Sequence, residues 1–455
     1  MPLLIINTLV FWHVLCIINM EKTKNKMNKL LIYLRQALHM MKEEKLFSGI
    51  YIAGTALAIA FTMVIAVVYY AKLADIEPEV NRSRTVYVKM YRTSKTEDWG
   101  GGTFLLTHKQ LRDWFYNLKS AEVACCVLRG EEFNDLRFYL RTDGGKRLIP
   151  VVMRGVDANF FKVYHHKFMY GRPFTQEEGL PSDSTSAENA LIAIISRDIA
   201  EQVFGKDVDP VGKAIDMERM NFRVVGVIEP TSSIASQSYG QVFIPALDNA
   251  GNGVTVVMKE GCTIEDLRKE LTEIVHRYNM SGVEPDFNIE MELYPHALSM
   301  MGRGKLSSWR EIILSLLPKV FVLLLVPALN LSGLVAARMK RRLPEMGVRK
   351  AFGAKRRELM HQVITENLVL TLCGGLVGLV ITWLLLYMFR SWAFFALGHV
   401  PLLTPEPLVQ GEMLFSPFIF LIALMTCMVV NLMATFIPAW WSLRNPIVES
   451  MNQKK

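Results

Sequence analysis

Few residues of this chain have the type and spacing for covalent chemistry. His165 and His166 could bind a metal or move protons. Neighbouring side chains diverge on a helix or a strand, and no third ligand stands at a zinc-like spacing. They therefore read as surface histidines. Residues 205–213 have the outline of a phosphate loop, but six residues rather than four separate Gly205 from Gly212, and Ala214 replaces the hydroxyl that would hold magnesium. The chain holds no Gly-x-Ser-x-Gly elbow and no Walker A motif, so it is not expected to hydrolyse ATP itself. Of six cysteines, Cys16, Cys373 and Cys427 sit in apolar runs as small hydrophobes. Cys125, Cys126 and Cys262 fall within residues 72–311, where a bridge to Cys262 is left open. The expectation is no catalytic site, no cofactor and no metal.

What remains is recognition. The run Arg341-Arg342-Leu343-Pro344-Glu345-Met346-Gly347-Val348-Arg349-Lys350-Ala351-Phe352-Gly353-Ala354 is basic on one side. It offers Met346, Val348 and Phe352 for docking, with proline at a helix start and glycine just past its end. Arg349 can grip a carboxylate with two parallel hydrogen bonds.

The elements that would position this run are membrane spans. The 455 residues are 51% hydrophobic and 21% charged, which suits a few spans beside a substantial watery domain. A bilayer core of roughly 30 Å needs about 20 apolar residues in a helix. Such runs lie at residues 46–71, 312–337, 367–389 and 413–440. Their cores hold no ionisable residue except Lys319, towards one end of the second, so ion-coupled transport is disfavoured. Any work would draw on energy delivered through the basic connection at residues 338–366.

Basic residues in short loops stay in the cytoplasm. Lys22, Lys24, Lys26, Lys29, Arg35, Lys42 and Lys45 precede the first span, residues 338–357 are rich in Lys and Arg, and residues 391–412 have neither. Both termini, including the tail 441–455, are therefore expected in the cytoplasm, and residues 72–311 outside it, in a plasma (inner) membrane protein. The net charge of +8 sits beside the spans, where it meets anionic headgroups; membrane lipids, not nucleic acid, are its expected partners. Residues 27–45 read as an amphipathic helix on the membrane surface. Residues 1–26 read as a mis-called start or an extra apolar segment.

Within 72–311, residues 84–90, 136–141, 147–155, 191–196, 222–229, 241–245 and 253–258 read as strands. Residues 107–119, 197–204 and 263–278 read as helices, with Thr263 and Asp266 as an N-terminal cap. The elements do not alternate strictly. The expected fold class is therefore α-helical transmembrane (four helices) with an inserted α+β extracytoplasmic domain.

The string from Arg341 to Ala354 resembles the cytoplasmic signature of MacB/FtsX-like ABC transporter permeases. The likeness continues through Glu366, Gly374, Gly375 and Gly378, upstream at Asn330-Leu331-Ser332, and downstream at Ile437-Pro438-Ala439 and Asn445-Pro446-Ile447-Val448-Glu449. Four outer segments are similar, in order, to the MacB-type periplasmic core domain. They are residues 156–161, 171–174, 204–213 and 225–227. The resemblance implies a permease dimer, of two like or related chains, bound to a separate ABC ATPase in two copies. A periplasmic adaptor or an envelope enzyme would be a further partner. It also implies that Glu345, Gly347, Arg349, Lys350 and Gly353 lie at the ATPase contact. Trp440 and Trp441 depart from the family's small residues, and a fused ATPase domain is not expected in this chain. The expected function is export of a peptide, lipid or lipoprotein, or toxic compound, driven by ATP in the partner. The alternatives are an FtsX-like regulator of an envelope enzyme and a membrane-anchored binding or sensing module without an ATPase.

Overall fold

The computed structural model describes residues 41–95, 102–127, 138–142, 145–179, 191–217, 220–246, 253–302, 309–398 and 417–444, with single residues between 32 and 39. Residues 1–26, most of the surface helix expected at 27–45, residues 399–416 and the closing motif from Asn445 lie outside the described residues. The longer helices are α1 (Lys45–Leu73), α2 (His108–Phe115), α3 (Arg197–Phe204), α4 (Ile264–Met280), α5 (Trp309–Ala351), α6 (Arg356–Gly398) and α7 (Pro417–Arg444). The strands are β1 (Thr85–Ser94), β2 (Gly102–Thr103), β3 (Ala121–Val127), β4 (Phe138–Thr142), β5 (Arg147–Val151), β6 (Met153–Val156) and β7 (Phe168–Gly171). They continue with β8 (Ile192–Ser196), β9 (Ala214–Met217), β10 (Met220–Ile228), β11 (Val242–Pro245), β12 (Gly253–Met258) and β13 (Phe287–Pro295). The chain divides into two compact units. One holds Met1–Ala66, Leu316–Met388 and Ser416–Lys455; the other holds Val67–Ser315 and Phe389–Phe415.

Among the described residues all the strands belong to the second unit and form one mixed sheet, in the order β13-β1-β12-β3-β6-β11-β8-β10-β9-β4-β5, with β2 paired to β1 and β7 to β10 off this path. Most pairs are antiparallel; β10 with β8 and β11 with β6 run parallel. The run read as a single strand at 147–155 is two strands. β5 pairs with β4, whereas β6 pairs with β11, so the chain changes neighbours at Val152. Sequence reading also passed over the short β2, β7 and β9 and the longer β3 and β13. In β13, Ile289, Met291 and Leu293 alternate with polar residues, as a half-buried strand requires.

Helix α4 shows how the sequence builds this unit. Thr263 accepts from the Asp266 amide, and the Asp266 carboxylate accepts from the Thr263 amide, so two orphan donors of the first turn are satisfied. Leu267, Leu271 and Val275 recur at helical spacing and enter a core shared with Val86, Val88, Val254, Val256 and Ile289. Helix α2 starts just after Thr107, which caps it through Gln110 in the same way. A second core gathers Val156, Phe160, Phe174, Ile194 and Phe243. Gly171, at φ 72°, brings β7 against Gly226 of β10; a Cβ on Gly171 would lie 2.1 Å from the Val225 carbonyl oxygen.

Cys125 and Cys126 are buried, unbridged, in β3, and Cys262 is also a free thiol. His165 is exposed but His166 is not a surface histidine. Its ring is buried against Phe160, Phe161 and Phe243, and burial lowers its pKa to about 4. Among the described residues no three His, Cys, Asp or Glu side chains gather as a metal would need.

The first unit is helical. Among the described residues three helices are long and apolar enough to cross a membrane: Lys45–Leu73, Arg356–Phe389 and Phe418–Phe436. The count of four expected from sequence is therefore three here. The remaining run, 312–337, lies in α5, where most side chains fall outside the described residues. In α6 the apolar run ends at Phe389, whose backbone leaves helical geometry (φ −119°, ψ 24°). Gly374 and Gly378 let α6 approach α1 closely. A Cβ on Gly374 would meet Thr55 at 2.8 Å, and one on Gly378 would meet the Ala56 carbonyl at 2.8 Å. Small residues four apart are the usual means of such contact in lipid.

Candidate functional site: the turn between two long helices

The sequence marks residues 341–354 as a docking run, and its local structure follows from one long helix and one glycine. Pro344 does not start a helix, as its type suggested. It lies inside α5, which runs unbroken from Trp309 to Ala351. The connection read as a loop at 338–366 is helical except at 352–355. Gly353 stops the helix. It adopts φ 91°, its amide donates to the Lys350 carbonyl at 3.0 Å, and the Ala354 amide donates to the Arg349 carbonyl at 3.0 Å. This paired closure satisfies carbonyls the helix end would otherwise leave orphaned, and glycine adopts its left-handed geometry without strain.

The stop turns Phe352 outward, with 89% of its surface exposed, beside the exposed Val348. Met346, read as a third docking residue, points inward instead. It packs with Tyr51, Val335, Met339, Leu359, Val363 and Leu370. Gly347 is buried in the same turn of helix. Burial, and then the neighbouring Arg356, lower the pKa of the Lys350 ammonium.

Glu345 and Arg349 meet each other. Arg349 Nη2 donates to Glu345 Oε1 at 2.6 Å, the i,i+4 spacing of one helix face. Arg349 Nη1 donates to Gln362 Oε1 at 2.9 Å, which ties α5 to α6. The chain of contacts runs on. Gln362 Nε2 donates to Glu366 Oε1 at 3.0 Å, and Arg342 Nη1 donates to Glu366 Oε2 at 2.8 Å. Arg338 Nε donates to Glu44 Oε2 at 3.0 Å, while its Nη2 stands 3.9 Å from Glu366 Oε2. The Arg338 guanidinium also lies over the Phe47 ring at 4.8 Å. Sequence reading named Glu345, Arg349 and Glu366 but missed Gln362, Arg338 and Glu44 as their partners. The spacing of Arg338, Arg342 and Arg349 along one face of α5 was the available signal.

The other motif segments of the outer domain are structural. Residues 204–213 end α3 at Gly205 (φ 94°) and lead into β9, with Lys213 Nζ over the Phe204 ring at 5.3 Å. Asp157 is wholly buried; its carboxylate accepts from the Tyr116 hydroxyl and from the amides of Cys126 and Phe160. Burial, opposed by these donors, raises its pKa to about 7. The arrangement fixes the start of the short helix Phe160–Val163.

Residues 48–274 match the family model described as MacB-like periplasmic core domain, and residues 320–447 match FtsX-like permease C-terminal. Macrolide export ATP-binding/permease protein MacB of Bdellovibrio bacteriovorus is 25% identical over 224 residues, 46% of this chain and 32% of that protein. Pyoverdine export ATP-binding/permease protein PvdT of Pseudomonas fluorescens is 25% identical over 235 residues, 50% of this chain and 34% of that protein. The chain thus spans about a third of the length of these curated relatives. The solved periplasmic region of MacB from Actinobacillus actinomycetemcomitans aligns with 50% of this chain and 95% of its own, at 13% identity and a TM-score of 0.34. With an outer core domain followed by a permease region, in the order its motifs follow along the sequence, the chain belongs to the MacB/FtsX-like ABC transporter permeases.

Proposed function

We propose that this chain is the permease subunit of an ABC-type complex, with four spans, cytoplasmic termini and residues 72–311 outside an inner membrane. The second of the four spans is residues 312–337 within α5. A separate ATPase, in two copies, docks at the turn formed by Glu345, Gly347, Arg349, Lys350 and Gly353, and a second permease, like or related, completes the pair. ATP-driven motion passes from that turn through the helices to the outer domain. The work is export of a peptide, lipid or lipoprotein, or toxic compound. Relatives described as exporters of a macrolide and of pyoverdine support export as the direction.

The observation that carries this reading is the exposed Phe352, presented by a capped turn with basic flanks between two long helices. A large aromatic held out beside Arg349 and Lys350 suits a pocket with an acidic rim. The test is co-purification from the native membrane. The intact chain should carry an ABC ATPase with it, and Phe352→Ala or Arg349→Glu should each reduce recovery at least about tenfold. Undiminished recovery with both changes would move the contact elsewhere. No ATPase under stabilising conditions would favour an anchored sensor.

A further inference from the structure

We infer that Glu366 is a positioning residue that couples the cytoplasmic turn to the start of α1, through competition for Arg338. This rests on the preceding reading for its biological sense, but the coupling itself is a property of this chain alone.

Glu366 sits where two lines of contact meet. Its Oε1 accepts from Gln362 and its Oε2 from Arg342, so both oxygens are engaged by side chains from two different helices. Gln362 faces both ways: its oxygen accepts from Arg349 of the turn and its amide donates to Glu366. One helical turn before Arg342, Arg338 stands between two carboxylates, at 3.0 Å from Glu44 and 3.9 Å from Glu366. The line therefore runs Glu345, Arg349, Gln362, Glu366, Arg338, Glu44, from the turn to the residue preceding α1.

The environment changes along that line. Glu345 and Glu44 reach water at its ends, whereas the Glu366 side chain is 2% exposed. Taking a carboxylate out of water is costly unless it stays paired, and apolar residues would hold helices together at least as well. Such a group is suited to selecting one arrangement over another. If a docking partner draws Arg349 away, Gln362 loses the donor that orients it and Glu366 loses a well-aligned bond. Arg338, whose Nη2 stands 3.9 Å from Glu366, is a cation able to replace it, and closing that gap draws its guanidinium away from Glu44. The first turn of α1 then loses its anchor.

The test uses the full chain in lipid nanodiscs, without any partner, and reads amide exchange over residues 41–50 by mass spectrometry. Arg349→Ala should raise that exchange by roughly tenfold, the size of one charge-assisted hydrogen bond. In a Glu366→Gln background, Arg349→Ala should add nothing. Gln362→Leu keeps the carboxylate but removes its bond to Gln362, so it should raise the exchange by itself and leave Arg349→Ala nothing to add, which keeps the test open should Glu366→Gln fail to fold. An equal response with and without these changes, or no response to Arg349→Ala at all, would overturn the inference. Failure to recover an ATPase in the pull-down would count against the proposed function and leave this exchange result standing.

Discussion

Glu79 and Arg82 form an ion pair of 2.7 Å in which each side chain is only 2% exposed. The pair closes the end of α1. Arg82 Nη1 donates to the carbonyls of Ala71 at 2.8 Å and Ala74 at 2.7 Å, groups that a helix terminus leaves without partners. Glu79 Oε1 accepts from the amide and hydroxyl of Ser238. Burial opposes the charge on Glu79, but Arg82 and His296 hold its pKa below the ordinary value. Removing one partner strands a buried charge. Glu79→Leu or Arg82→Met alone should therefore cost about 3–5 kcal/mol. The double variant should cost clearly less than the sum, read from melting temperatures of the solubilised chain in a double-mutant cycle.

His166 should make the outer domain acid-sensitive. Its pKa falls from the ordinary 6.5 to about 4 because burial disfavours the charged ring. The unfolded chain then takes up a proton near pH 6.5, which the folded chain refuses until about pH 4. Stability is complete above pH 6.5 and declines as the pH falls towards 4, by on the order of 3 kcal/mol. The ring lies 5.7 Å from Phe160 at an interplanar angle of 19°, an environment that suits phenylalanine. Melting curves from pH 7 to pH 4.5 should show a smaller decline for His166→Phe; an unchanged slope would place the sensitivity elsewhere.

Gly171→Ala should weaken the junction of β7 and β10. The backbone there is left-handed, which costs an alanine about 1–2 kcal/mol before any contact is counted. The added methyl would also meet the Val225 carbonyl, a backbone atom that cannot rotate away. Protease resistance and melting temperature of the outer domain should both fall. Gly145→Ala provides a comparison with positive φ in open space, and should cost only the backbone part.

Gly378→Leu should separate α6 from α1. Its new side chain would start 2.8 Å from the Ala56 carbonyl and 3.1 Å from Ile59. Lipid gives apolar helices no hydrophobic reason to associate, so close packing carries the pairing. The melting temperature in nanodiscs should drop, while Gly333→Leu, where a Cβ meets nothing within 4 Å, should leave it unchanged. Equal effects at both glycines would argue against this contact.

Much of the molecule is determined locally and so can be read from sequence. Long uncharged runs announce membrane helices because a bilayer offers the backbone no other partner. The Thr263 and Asp266 cap lies within one turn of chain, and Gly353 ends α5 through bonds to residues no more than five positions away. The ordered motifs around Asp157, Gly171 and Gly226 likewise pointed to the family that the matched regions establish. Only the tertiary structure decided what depends on partners distant in sequence. Nothing near Met346 shows that Tyr51 and Leu370 cover it, and nothing near His166 shows that Phe243 does. Pro344 suggested a start because its type is judged over one turn, whereas the helix containing it began at Trp309. The division of 147–155 at Val152 arises because β5 and β6 have different neighbours. Glu44, Arg338 and Glu366 become one line of charge only when three separate stretches of chain are brought together, since side-chain pairing follows distance in space and not separation in sequence.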